Sequence, residues 1–216
     1  MRRDCAHECV FGAGDGIVYA FQPRTGKELW KYPFSLRGIN VTPLVVGDTV
    51  FMAHSEENLG DNTMGAVAAI DGRTGKEKWK VKEIMIGKTA PLLIDGRLYL
   101  IDDGAGLFIL DAETGKLVHK MKLGTMQRAS PLYADGRIYT CDATGRWSVL
   151  QPTEKGVKVL HKLRLPGASP EVHGSPIVSH GRIYLGSTEG FYCIGRKEDR
   201  KSTRLNSSHS SVSRMP

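Results

Sequence analysis

Short runs of alternating apolar and polar residues dominate this chain, and the same marks return in the same order four times. A Pro follows a small residue at Thr42-Pro43, Ala90-Pro91, Ser130-Pro131 and Ser175-Pro176. A two-residue turn comes a few positions later: Gly47-Asp48, Gly96-Arg97, Gly136-Arg137 and Gly181-Arg182. Each turn leads into a β-rich run, "TVFMA", "RLYLI", "RIYTC" or "RIYLG", and a second apolar run such as "GLFILD" follows. Alternation over so few residues predicts strands. No stretch between these marks sustains a helical period, so negligible helix is expected.

The second apolar run closes on another kind of turn, a Thr-Gly pair ending at Gly26, Gly75 and Gly115, with a degenerate "TEKG" ending at Gly156. Gly accepts the positive φ that a tight turn requires, and Asp and Thr side chains bond nearby backbone amides. In "DGRTGKEKW", Asp71 ends a strand, Gly75 closes the turn, and Trp79 stands eight residues after the Asp. The same spacing separates Gln22 from Trp30 and Asp111 from His119. The Gly turns recur at intervals of 49, 40 and 45 residues. A period in the forties with about four short strands per repeat predicts β-propeller blades. The expected fold is therefore all-β: a β-propeller of four-stranded antiparallel blades. A sheet with two apolar faces must be covered on both, and face-to-face packing of blades achieves this.

About eighteen strands fit between Cys9 and Gly195, or roughly four and a half blades. The first blade lacks its opening strand and the last its closing one, so residues 9–195 are expected to be an incomplete ring, with 1–8 as an N-terminal extension. Residues 196–216 are expected to be a disordered, dispensable tail. From Asp199 it reads "DRKSTRLNSSH", which resembles a translated sequencing adapter. The tail changes the reading of charge. It holds six of the 30 Lys and Arg and two of the 23 Asp and Glu, so the formal +7 falls to +3 without it. An ordinary surface charge gives nucleic-acid binding no support. There is no apolar run long enough for a transmembrane segment, and "MRRDCAHECVFG" has no signal-peptide core.

These repeats resemble the PQQ-like β-propeller family. It includes quinoprotein alcohol dehydrogenases and the propeller lipoproteins that help assemble outer-membrane proteins. The resemblance rests on "VYAFQPRTGKELW", matching at Ala20, Thr25, Gly26 and Trp30 with Gln22 where the family usually has Asp. The fullest match is "VAAIDGRTGKEKW", at Ala69, Asp71, Thr74, Gly75 and Trp79. "FILDAETGKLVH" keeps Asp111, Thr114 and Gly115 but has His119 at the Trp place, and "SVLQPTEKGVKVLH" has lost Thr-Gly and carries His161 two residues late. By this resemblance the Trp residues, and His119 as a planar substitute, pack between consecutive blades of a ring of about seven or eight. Further blades of a full-length propeller would then be partners, and a periplasmic or other extracytoplasmic location is implied.

The leading functional expectation is a non-catalytic scaffold binding a protein, polysaccharide or small ligand. Two alternatives follow from the family: part of a PQQ- and calcium-dependent quinoprotein oxidoreductase, or a sensor propeller attached to another domain. The quinoproteins use an adjacent Cys-Cys pair against the quinone. The cysteines here, Cys5, Cys9, Cys141 and Cys193, include no neighbours, and no matching Glu, Asn and Asp set for Ca²⁺ can be assigned. One segment has the composition of a site. "AHSEENLGDNTMG" gathers His54, Glu56, Glu57, Asn58, Asp61 and Asn62 in one inter-strand loop. Hard cations take several oxygen ligands, and loops on a rigid scaffold are where binding residues concentrate. The loop is either a cation or sugar site, or a solvated turn made of good turn-formers.

Overall fold

The computed structural model describes residues 8–196 and 210–215. Every element among them is a β-strand, and every strand pairing is antiparallel between sequence neighbours. The chain divides into two compact units, Met1–Lys122 and Leu123–Pro216.

The first unit holds three sheets. β1 (Cys9–Gly12), β2 (Ile17–Gln22) and β3 (Lys27–Pro33) make a three-stranded sheet. The next comprises β4 (Leu44–Val46), β5 (Thr49–Glu57), β6 (Met64–Asp71) and β7 (Glu77–Lys82). The third comprises β8 (Leu92–Ile94), β9 (Arg97–Ile101), β10 (Gly106–Asp111) and β11 (Leu117–Lys122). The second unit holds two four-stranded sheets. One runs through β12 (Leu132–Ala134), β13 (Arg137–Cys141), β14 (Arg146–Thr153) and β15 (Gly156–Arg164). The other runs through β16 (Ile177–Ser179), β17 (Arg182–Ser187), β18 (Gly190–Arg196) and β19 (Ser210–Met215).

Period-two alternation sends successive side chains to opposite faces, so each middle strand feeds two cores. On β5, Val50 and Met52 join Val18, Ala20 and Trp30 of the first sheet. Phe51 and Ala53 join Leu98, Leu100 and Phe108 of the third. The second unit has its own cluster, around Trp147, Leu185 and Tyr192.

The hairpin turns lie one residue earlier than the sequence pattern places three of them. Ile94 pairs with Arg97, Ala134 with Arg137 and Ser179 with Arg182, so the turn residues are Asp95-Gly96, Asp135-Gly136 and His180-Gly181. Both members of each pair have positive φ, 47° and 72° at Asp95-Gly96. That is the two-residue turn whose twist matches flanking strands, and Asp-Gly suits it. Only Gly47-Asp48 falls where expected.

The last strand of each of the first four sheets carries a bulge at the same place. Ala69 pairs with Trp79 but Ile70 with Glu77, leaving Lys78 as the extra residue. Leu29, Val118 and Leu160 take the same role in β3, β11 and β15. A longer hairpin accounts for the late His161. Its partner is Val149, the position that corresponds to Ala69, and the two added residues are absorbed by ladder pairs from Gln151–Lys158 to Thr153–Gly156.

The tail departs from expectation at 210–215. β19 pairs with β18 over six residues, from Arg196–Ser210 to Phe191–Met215, while 197–209 lie outside the described residues, as do 1–7. Without β19, the edge of β18 would present open backbone donors and acceptors. An extended segment can satisfy them through main-chain bonds whatever its side chains.

Candidate functional site

The β5–β6 loop sits at the end of its sheet away from the Thr-Gly turn, between two connecting segments that pin it. Leu36 N–H donates to the Glu57 carbonyl at 3.0 Å on one side, and Ile86 N–H to the His54 carbonyl at 3.3 Å on the other. A bridge between Ser35 and Asn58 adds to the first contact. Gly65, at φ 76°, is needed for the second, because a Cβ there would stand 2.6 Å from the Ile84 carbonyl oxygen and 2.7 Å from Met85 Cα.

Four of the six residues singled out as ligands, His54, Glu57, Asn58 and Asp61, are engaged within the loop or by its neighbours. His54 is buried at the end of β5, its Nδ1 accepting from Glu56 N–H at 3.2 Å and its ring edge-on to Phe34 at 4.4 Å. Burial, with Lys80 second, lowers its pKa to about 4. Asn58 is fully buried, and its Nδ2 donates to the Thr63 carbonyl, Thr63 Oγ1 and the Gly65 carbonyl at 3.0–3.1 Å. Glu57 pairs with Arg37 at 3.1 Å. Asp61 bonds Lys82 and Thr63, which hold its carboxyl well below the usual range. Glu56 is half-buried and Asn62 exposed. The carboxylates of Glu57 and Asp61 thus face different cations, and among the described residues no group of three or more His, Cys, Asp or Glu could hold a metal ion. The loop is a clamp locked by its own polar groups.

Exposed apolar side chains also stand around this clamp. Leu36, Met64 and Met85 are 56%, 40% and 46% exposed. Backbone contacts relate their positions: Leu36 bonds Glu57, which pairs with Met64 and stands between the two, and Gly65 abuts Met85. The Arg37–Glu57 pair stands among them and Lys82–Asp61 belongs to the same loop. Exposed apolar side chains grouped with charged ones mark contact surfaces, and methionine adapts to varied partners.

At the opposite end stand the remaining predicted residues. Trp30 is buried, and its Nε1–H donates to the Gly72 carbonyl of the next sheet at 2.6 Å. Trp79 is half-buried, with Nε1–H donated to the Ala112 carbonyl at 3.0 Å. Asp71 Oδ1 accepts from Thr74 N–H and Oγ1–H at 2.9 and 2.8 Å, and Asp111 does the same for Thr114 at 2.8 and 2.6 Å. The amides of Gly75 and Gly115 each donate to the carbonyl of that Asp at 2.8 Å. His119 is half-buried on β11 opposite Ile109.

A third recurring turn escaped the sequence reading. Asp15, Asp102 and Asp142 stand between the two middle strands of their sheets. Each accepts from the amide opening the second of these strands: Ile17 at 3.1 Å, Gly106 at 2.6 Å and Arg146 at 2.9 Å. Their signal was present as "GDGI", "DDGAG" and "DATGR", each an Asp close before a Gly. In the second sheet this short turn is replaced by the longer clamp.

Consecutive antiparallel sheets of three or four strands stacked through shared cores make this a repeat β-propeller protein. A family model described as outer membrane protein assembly factor BamB matches residues 63–197, and the chain belongs to that family. Among solved structures, BamB from Moraxella catarrhalis superposes with a TM-score of 0.67 at 22% identity, covering 90% of this chain and 58% of that one. A crystal structure of a mitotic checkpoint complex matches with a TM-score of 0.69 at 11% identity, covering 85% and 56%. Both likenesses are of fold, and this chain spans well under two thirds of either. No curated protein matches it.

Proposed function

We propose that this propeller is a non-catalytic protein-docking scaffold that acts in outer-membrane protein assembly, outside the cytoplasm. The observation that carries the reading is the exposure of Leu36, Met64 and Met85 around the β5–β6 loop, whose Glu57 and Asp61 carboxylates are engaged by Arg37 and Lys82. A cation site would gather its carboxylates, whereas here Glu57 and Asp61 face separate cations and exposed apolar side chains stand beside them. The name of the family supplies the process. Sugar recognition gains nothing from this loop, since Asn58 and His54 are buried. Quinoprotein chemistry gains nothing from the cysteines, with Cys9 exposed on β1 and Cys141 and Cys193 buried on separate strands. No helix among the described residues is long and apolar enough to cross a membrane.

The test is genetic. Cells whose gene carries Leu36→Asp with Met85→Asp are expected to accumulate less assembled outer-membrane β-barrel protein, with the altered propeller present at its usual level. Normal assembly in such cells would overturn the reading.

A further inference from the structure

The last two strands of three successive sheets share one register. Ala69 faces Trp79, Ile109 faces His119 and Val149 faces His161. The next residue along is a lysine each time, Lys80, Lys120 or Lys162, and two further on stands a second cation, Lys82, Lys122 or Arg164. Period-two alternation puts each pair of cations on one face of its sheet.

In the first unit these cations are occupied. Lys82 pairs with Asp61, and Lys122 donates to the Gly104 carbonyl. Lys80 lies over the Phe34 ring at 5.4 Å, and Lys120 over the Phe108 ring at 4.5 Å. The residues opposite them carry no charge: Ala66 and Ala68 on β6, Gly106 and Phe108 on β10.

The sheet of β12–β15 departs from this pattern. Opposite Arg164 stands Arg146. Side chains directly opposed across a ladder have Cβ atoms about 4.5–5.5 Å apart, and like charges so placed are destabilising. Arg146, Lys162 and Arg164 are all exposed, and among the described residues none of the three has an ion-pair partner. Asp142, four residues before Arg146, is buried, and its oxygens accept from the Thr125, Thr144 and Arg146 amides at 2.9–3.2 Å. Folding therefore gathers three positive charges on one face of β14 and β15 with no carboxylate to balance them, at a place where the other two sheets supply partners.

We propose that this face of β14 and β15 binds a phosphomonoester dianion. Guanidinium forks match tetrahedral oxyanions bidentately, and an ammonium adds a point charge. A phosphomonoester carries about −1.5 to −2 charge near neutral pH and three strong acceptor oxygens, enough to address all three cations together. A carboxylate brings one charge and two oxygens. Because the three side chains are open to water, salt screens the attraction.

NMR correlation spectra of the arginine Nε–H groups, recorded on the whole chain at low ionic strength and about pH 7, read the site directly. Added inorganic phosphate is expected to shift the Arg146 and Arg164 signals saturably, while acetate at matched ionic strength leaves them in place. Arg146→Ala, which restores the residue of the second sheet, should abolish the Arg164 shift and raise the unfolding temperature in phosphate-free buffer. Lys155→Gln, at the far end of the hairpin, should change neither. Sedimentation with phosphatidylcholine vesicles containing phosphatidate, lost in Arg146→Ala, would assign the phosphate to a lipid headgroup. A saturable phosphate shift without such sedimentation would assign it to a soluble phosphoester. Unmoved arginine signals, or equal movement with acetate, overturn the proposal even if Arg146→Ala fails to fold.

Discussion

Gly75 and Gly26 share a backbone conformation but not an environment, and the comparison isolates what the Trp contact contributes. Alanine at either position must take a left-handed φ, at a cost of about 1–2 kcal/mol. At Gly75 the new methyl also meets the Trp30 ring at 2.9 Å, whereas at Gly26 it meets nothing. Overpacking of that kind adds about 1–3 kcal/mol. Gly75→Ala should therefore destabilise the protein clearly more than Gly26→Ala in urea unfolding. Equal losses would mean that the ring contributes nothing there.

His54 gives a pH signature at the same scale. Its folded pKa of about 4 lies below the ordinary 6.5 because burial favours the neutral ring. The stability this contributes is fully present above pH 6.5 and drains away as the pH falls toward 4. At about 1.4 kcal/mol per unit, the loss approaches roughly 3 kcal/mol. Unfolding free energies from pH 7 down to 4.5 should decline in the native chain and decline less in His54→Gln. Parallel pH profiles would contradict the burial argument.

At the scale of elements, the outer strands explain both what was legible and what was not. Their Thr-Gly turns could be read because the device is local: Asp71 and Thr74 bond within three residues. The bulge was invisible, since Lys78 differs from its neighbours only in lacking a ladder partner. The role of the clamp stayed open in the sequence for a related reason. A polar run such as His54–Asn62 looks the same whether its groups converge on a ligand or on one another, and only the flanking segments at Ser35–Leu36 and Ile84–Ile86 decide it. The one-residue offset of the Gly turns reflects their Asp-Gly chemistry, which the repeated "DG" at Asp95 and Asp135 carried openly. Exposed Lys on these outer strands, such as Lys78, Lys120 and Lys158, also guards open edges against strand addition. β18 has its edge covered by β19 instead. Truncation after Arg196 should accelerate amide exchange in β18 while leaving β8–β11 unchanged, and unchanged exchange in β18 would mean the pairing is not held in solution.

For the molecule as a whole, each unit builds its own core. Family membership and the exposed apolar side chains point to protein contact as the work of this propeller. Site-specific photo-crosslinking in cells tests this most directly, with the reactive group placed at Met64 or Met85 and, as control, at the exposed Arg73 or Glu113 beside the Thr-Gly turns. The account predicts adducts with an outer-membrane assembly protein from the first two positions, lost when Leu36→Asp is added. Equal adducts from Arg73 and Glu113, or none from Met64 and Met85, would contradict it.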